Sequence, residues 1–263
     1  FNPRYLTQPK CSDLTNCMED ADCGASTTGI CTGNFKKDLG TAVHEIVHAL
    51  GFSSSSWGQF KDYTYNQVIE KDSVTGVSKI ITPNVVAKIR EQFGCAENIG
   101  GEIEEYGGGG TAGSHWDKRI IANEFMNPTV VQNPIIFSAI SMALFEDMGW
   151  YKPDYSKATH LPWGFKQGCN FIKQECKIGW RNNYFCDKAY ASPGRRLEGC
   201  ASFDFRGRGY CDVSTYTAAL PSQYQHLSNP AQGGSDTHMN FCPIFKPYSN
   251  TPCNQGYLRN SNL

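Results

Sequence analysis

The sequence has no long hydrophobic run and almost no net charge. Its 263 residues carry 24 lysine and arginine side chains against 25 aspartate and glutamate, a formal net charge of −1. This balance excludes a protein that binds nucleic acid mainly by charge, and it excludes a disordered polyelectrolyte. The mean hydropathy is −0.45, and no apolar run reaches the ~18 residues that a membrane-spanning helix needs. We therefore expect no transmembrane span in this chain and no nucleic-acid partner.

The sequence also lacks the closely spaced cysteine pairs that structural zinc sites use. The shortest gaps between cysteines, Cys11 to Cys17 and Cys17 to Cys23, hold five residues each. Cysteine itself is abundant, and an even number of 12 favours disulfides formed in an oxidising compartment. We therefore predict an extracellular, cell-surface or secretory-pathway location. Because an initiator Met and a leader are lacking, we expect a processed or incomplete chain.

The cysteines divide the chain into three parts. Four lie within residues 1–35, Cys95 stands alone, and seven follow residue 168. This distribution predicts a Cys-rich N-terminal segment at 1–35, a cysteine-poor central region at 36–154 and a disulfide-rich C-terminal domain at 155–263.

Periodic apolar residues predict three helices. Across residues 36–50 they recur at three- and four-residue spacing, and Gly51 suits the left-handed turn that ends a helix. Residues 83–93 form a second helix, for which we expect Thr82 to be the N-cap. Residues 134–148 form a third, which is largely apolar and so predicted to be buried.

The most specific motif lies on the first predicted helix and consists of His44-Glu45-Ile46-Val47-His48. Residues four apart lie one helical turn above each other, so the two imidazoles can bind one metal ion. Zinc suits imidazole ligands and leaves room for a water molecule, whose proton Glu45 can accept. The motif therefore predicts a zinc site with Glu45 as general base.

A catalytic zinc needs a third protein ligand. The compact signature H-E-x-x-H-x-x-G-x-x-H would place a histidine at position 54, where this chain has Ser54. Gly51 is present and lets the chain turn back beneath the metal, so the third ligand must come from elsewhere. The candidates left open by the residues alone are Asp62, Asp72, His115, His160, His226 and His238.

Two further segments resemble the leishmanolysin family of metzincin zinc peptidases. They are GSHWDKR at 113–119 and NEFMNP at 123–128, and they accompany HEIVHALGFS at 44–53. In that family a long insertion follows the helix glycine, the third histidine arrives in a Ser-His-Trp setting, and a methionine turn follows. The resemblance therefore implies that His115 is the third zinc ligand and that Met126 is the Met-turn residue.

The same resemblance implies an α+β fold. It comprises a metzincin-type zincin catalytic domain, with an insertion at about 54–112, and a disulfide-rich C-terminal domain. Part of the family's N-terminal sheet lies upstream of this sequence, so we expect the catalytic domain to lack it here. We further expect Cys95 to pair with Cys169, joining the insertion to the start of the C-terminal region.

The activity implied by the resemblance is that of a zinc-dependent endopeptidase with one Zn²⁺ and a peptide or protein substrate. Membrane anchoring, or assembly with other chains, would come through the missing segments. The alternative is a non-catalytic structural or adhesion protein on a peptidase-like fold. The presence of Glu45 beside three histidines argues against that alternative, because a scaffold need not keep a general base.

Two smaller expectations concern charged side chains near the motifs. An ion pair between Arg119 and Glu124 would hold the methionine turn. Three glutamates lie beside the glycine-rich loop: Glu102, Glu104 and Glu105. We interpret them as a solvated acidic face rather than a second metal site.

Overall fold

The computed structural model describes residues 35–73, 76–97, 99–129, 136–173, 176, 184–203 and 207–253. This part of the chain contains both helices and short strands, so its content is mixed. The predicted Cys-rich N-terminal segment, with its four cysteines, lies outside the described residues except for Phe35.

The helices precede most of the strands in the chain. The α-helices are α1 Phe35–Ala49, α2 Tyr65–Val68, α3 Pro83–Phe93, α4 Ala139–Asp147 and α5 Cys169–Lys173. Short 3₁₀ helices cover Ser54–Gln59, Tyr155–Lys157, Ser222–Tyr224 and Thr237–Met239. The strands are β1 Ile69–Lys71, β2 Ser78–Ile80, β3 Gly101–Glu102, β4 Tyr190–Ser192, β5 Arg195–Arg196, β6 Glu198–Cys200, β7 Gly207–Cys211, β8 Val213–Thr215, β9 Gln232–Gly234 and β10 Phe245–Pro252.

The strands form four small antiparallel sheets rather than one large one. One sheet has the order β1-β2-β3 and another the order β10-β7-β6, while β4 pairs with β5 and β8 with β9. In the first sheet Lys79 of β2 is opposite Glu102 of β3, and their side chains form an ion pair with 3.3 Å between Nζ and Oε1.

Helix α1 buries only part of its apolar surface. Val47 is in the core, with 6% of its surface exposed. Four other apolar side chains of the predicted helix are exposed: Leu39, Val43, Ile46 and Leu50. The apolar spacing therefore predicts the helix correctly but does not show which side of it this chain buries.

Helix α3 has the predicted bounds, but its N-terminus is capped from another element. Thr82 occupies the N-cap position without a side-chain capping bond. Instead, Asp147 at the end of α4 accepts hydrogen bonds from the backbone N–H groups of Asn84 (3.0 Å) and Val85 (3.1 Å). A carboxylate there satisfies free N–H groups and suits the positive end of the helix dipole. Asp147 therefore joins α3 to α4.

Helix α4 starts later than predicted. We expected residues 134–148, but the helix begins at Ala139 because Ser138 caps it, accepting a bond from the backbone N–H of Ser141. Just before the cap, the carbonyl oxygen of Ile136 accepts the backbone N–H of Phe125 at 2.8 Å. That long-range bond ties Ile136 to the segment that carries Phe125, so residue 136 is not part of the helix.

One hydrophobic core crosses the predicted boundary at residue 155. Its members include Val47 and Trp116 on one side of the boundary and Trp163 and Ile244 on the other. Trp163 is fully buried and its Nε1–H donates to the carbonyl oxygen of Arg119 at 3.1 Å. The C-terminal region therefore packs directly on the region that carries the histidine motif.

Four disulfides staple the described residues: Cys95–Cys169, Cys176–Cys242, Cys186–Cys211 and Cys200–Cys253. The first confirms the predicted pairing. Such a set fits an oxidising compartment. Among the described residues, no helix combines the length and apolar character needed to cross a membrane.

Removing the Cys95–Cys169 disulfide should destabilise the fold more than removing Cys186–Cys211. The first closes a loop with a sequence separation of 74 and the second one of 25, and the entropy removed from the unfolded chain grows with loop length. We expect the paired Cys→Ser variants to lose about 4.5 and about 3.5 kcal/mol of unfolding free energy, respectively. Urea unfolding of both variants measures this. An equal loss, or the reverse order, would contradict the loop-length argument.

Candidate metal centre

Helix α1 presents two imidazoles on one side. His44 is buried and His48 half-buried, and their Nε2 atoms are 3.0 Å apart. The helix ends just beyond them at Ala49. Gly51 then adopts a φ of +133°, and a Cβ there would lie 3.0 Å from the sulfur of Met148. The close packing of this turn accounts for a glycine at this position.

The structure brings His115 to the same point from a distant part of the chain. Its Nε2 atom lies 3.1 Å from the Nε2 atoms of both His44 and His48. The neighbouring residue Ser114 accepts the backbone N–H of Ser54 at 3.0 Å. Ser54, which stands where the compact signature has its histidine, thus helps to hold the segment that delivers one.

Each of the three imidazoles is oriented by a hydrogen bond from its Nδ1 atom to a main-chain carbonyl. The acceptors are Phe125 O for His44 (2.8 Å), Phe52 O for His48 (2.6 Å) and Thr111 O for His115 (2.8 Å). A carbonyl oxygen can only accept, so every Nδ1 carries a hydrogen, and in the neutral imidazole every Nε2 then directs a lone pair at the other two. Three lone pairs so close together need a shared cation.

The electrostatics of the site favour a metal ion over protons in that role. Burial lowers the pKa of His44 and lowers that of His115 to about 4, so neutral imidazole is the favoured form at neutral pH. Three neutral imidazoles with their Nδ1–H groups bonded to carbonyls are the ligand set and outer shell typical of zinc. Within the described residues this cluster has three members, His44, His48 and His115.

Glu45 follows the first histidine directly. It is half-buried, and its negative charge is near enough to His44 to oppose the burial-driven lowering of that pKa. A carboxylate close to a metal-bound water molecule could accept a proton from it.

The other candidate ligands lie elsewhere. Asp62 and His160 are exposed, and the His160 ring packs edge-on against Phe165. Asp72 and His226 line a separate cleft, and His238 lies beside Glu104, with 3.4 Å between Nδ1 and Oε1.

The prediction of an ion pair between Arg119 and Glu124 is wrong. Arg119 is buried, and its guanidinium donates to the carbonyl oxygens of Phe171 (3.1 Å) and Ile172 (2.7 Å). Glu124 is fully buried and bonds to other groups, among them the backbone N–H of Met126 at 2.5 Å. The turn around Met126 is therefore held by a buried hydrogen-bonded carboxylate.

The prediction of a solvated acidic face is also wrong for one of its three glutamates. Glu104 has only 1% of its surface exposed, because β3 and the segment after it lie against the chain that carries His115. The backbone N–H of Glu104 donates to the carbonyl oxygen of His115 at 2.9 Å. Burial raises the pKa of the Glu104 carboxyl group to about 7, and a sequence run of acidic residues gives no sign of this.

Replacing Glu104 with glutamine should stabilise the protein at pH 8 more than at pH 5. The folded-state pKa, about 7, lies above the ordinary value of 4.5. The protonated Glu104 carboxyl group therefore contributes stability to the folded protein that is present below pH 4.5 and is lost as the pH rises through about 7. Glutamine stays neutral, so the gain at pH 8 could reach about 3 kcal/mol. Thermal unfolding of both proteins at the two pH values measures it. Equal differences at both pH values would rule the explanation out, since the buried histidines are common to both proteins.

Three histidine nitrogens on and around an H-E-x-x-H helix form a group that could hold a metal ion, and this arrangement is of the kind found in zinc peptidases. The sequence also matches the family model for peptidase M8, leishmanolysin, over residues 25–262. The chain belongs to the leishmanolysin family, as the sequence motifs predicted.

Individual relatives agree with this assignment. The leishmanolysin-like peptidase of Drosophila melanogaster is 32% identical over 80% of this chain, and leishmanolysin of Leishmania major is 34% identical over 81%. The leishmanolysin-like peptidase of Caenorhabditis elegans is 30% identical over 79%. The matches span 38%, 34% and 39% of those relatives, respectively, so this chain corresponds to little more than a third of their length.

Proposed function

We propose that this chain carries the catalytic centre of a zinc-dependent endopeptidase. The observation that carries the proposal is the convergence of three Nε2 atoms within 3.1 Å, each with its Nδ1 atom engaged by a carbonyl. His44, His48 and His115 would hold one Zn²⁺. A structural zinc takes four protein ligands, whereas a catalytic one takes three and keeps an open position. The three-membered cluster of the described residues therefore supports a catalytic role.

In the proposed mechanism the protein supplies a base beside the metal. Zinc, when bound, supplies Lewis acidity that polarises the scissile carbonyl and lowers the pKa of a water molecule. Glu45 accepts the proton of that water as it attacks and then delivers the proton to the leaving amine. His44, His48 and His115 keep their Nδ1–H groups on carbonyls throughout, so their Nε2 atoms stay directed at the metal position.

The finer architecture belongs to the same proposal. We assign residues 36–154 to a metzincin-type catalytic region with an insertion at about 54–112 and a Met-turn at Met126. Residues 155–263 form the disulfide-rich C-terminal domain. The four disulfides support a location outside the cell, at its surface or in the secretory pathway.

Hydrolysis of a quenched-fluorescent peptide library by the full-length native protein tests the proposal. We expect cleavage that 1,10-phenanthroline abolishes and added Zn²⁺ restores. Cleavage that survives complete removal of zinc would contradict it. So would absence of cleavage by mature protein shown to hold one zinc per chain. That result would favour a non-catalytic structural or adhesion role.

A further inference from the structure

Glu124 is a buried carboxylate that accepts four hydrogen bonds and has no role in the proposed chemistry described above. Its Oε2 atom accepts the backbone N–H of Met126 at 2.5 Å. Its Oε1 atom accepts the backbone N–H of Ser138 (3.1 Å), the hydroxyl of Ser138 (2.9 Å) and the hydroxyl of Ser141 (2.6 Å). Glu124 thus joins the Met126 turn to the first turn of α4.

The donors fix the direction of these bonds. The Ser141 hydroxyl oxygen accepts the indole N–H of Trp116 at 2.9 Å, so the hydroxyl hydrogen is free to point at Glu124. Backbone N–H groups can only donate. Both oxygens of Glu124 must therefore act as acceptors, which a carboxylate does and an amide does not.

The segment held by Glu124 is the one that orients two of the three histidines. The carbonyl oxygen of Phe125 accepts Nδ1–H of His44 at 2.8 Å. The carbonyl oxygen of Met126 accepts the backbone N–H of Trp116, the residue after His115, at 3.0 Å. Any shift of the Phe125–Met126 main chain would move both acceptors.

We propose that Glu124 is a positioning residue of the metal centre. Its carboxylate fixes the Phe125 and Met126 carbonyls between α4 and the histidines, and so fixes the direction of the His44 lone pair and the place of His115. This inference rests on the proposed zinc site, but it concerns metal affinity rather than the chemistry of peptide hydrolysis.

The test compares the Glu124→Gln variant with an Asp147→Asn control in the full-length protein. Asp147 is likewise a buried carboxylate on α4, and its backbone donors, Asn84 and Val85, belong to α3. Both changes remove one buried carboxylate charge at nearly constant shape, Glu124 ahead of α4 and Asp147 at its end. Competition for Zn²⁺ against a chelator of known affinity, with thermal unfolding of the metal-free proteins, separates metal affinity from stability.

We expect Glu124→Gln to weaken zinc binding about 10- to 100-fold, the range seen when an outer-shell partner is lost. Asp147→Asn should lower the unfolding temperature while binding zinc as tightly as the native protein. Equal zinc affinity in the Glu124→Gln and native proteins would overturn the inference, and so would an equal loss in both variants.

Two further measurements keep the test decisive. If Glu124→Gln does not fold, Ser141→Ala removes one of the four donors more gently and should weaken zinc binding in the same direction. Unchanged affinity in that variant would count against the inference. If the native protein itself binds no zinc, the proposed function fails. If it binds zinc and cleaves peptides but Glu124→Gln binds zinc normally, only the role of Glu124 fails.

Discussion

Replacing Glu45 with alanine is expected to lower kcat/KM for peptide hydrolysis at least ~100-fold, the range for loss of a general base. The zinc content should stay at one per chain, because Glu45 is not a ligand and the three imidazoles keep their carbonyl partners. Initial rates on the peptides cut by the native protein, together with the zinc content of the same samples, measure both quantities.

A Glu70→Ala variant is the matched control for this experiment. Glu70 is an exposed glutamate on β1, so its loss changes the net charge by the same amount away from the metal centre. It should leave kcat/KM unchanged. Comparable activity of Glu45→Ala and Glu70→Ala would show that the base lies elsewhere, even if zinc is required.

Replacing His115 with alanine should abolish stable zinc binding and, with it, hydrolysis. Two imidazoles from one helix would remain. Loss of an outer-shell partner weakens zinc affinity by up to about 100-fold, and reducing the protein ligands from three to two should weaken it more than that. Zinc retained after dialysis against a chelator of known affinity measures the effect. The exposed His160 provides the control, since His160→Ala should keep its zinc. If the His115→Ala variant kept its zinc, the third ligand would be another side chain.

Much of the helical framework could be predicted because its signals are local. The bounds of α3 follow from Pro83 at its start and Gly94 at its end, and both act within one turn. The start of α4 was predicted too early. The cap at Ser138 is a local signal that could have corrected it, whereas the bond between Phe125 and Ile136 depends on which segments pack together.

The candidate metal centre was predictable only in part for the same reason. The pairing of His44 with His48 is a property of one helix, so spacing alone suggests it. The residues alone left several candidates for the third ligand, and His115 was selected by resemblance to a family. Glu104 and Glu124 were misjudged because burial and long-range partners decide the state of a carboxyl group, and neither is visible in local sequence.

The main-chain carbonyls that accept hydrogen bonds from the three histidines determine which sequence changes the site can tolerate. Every amino acid offers the same carbonyl oxygen, so exchange of the residue at Thr111 leaves the bond to His115 available. Insertions and deletions are a different matter, since Thr111 lies four residues before His115 and Phe52 four residues after His48. Insertion or deletion of one residue in either short segment would displace the carbonyl oxygen that accepts from the histidine. The centre should therefore tolerate replacement of these residues in related proteins, but not a change in the length of the segments that carry them.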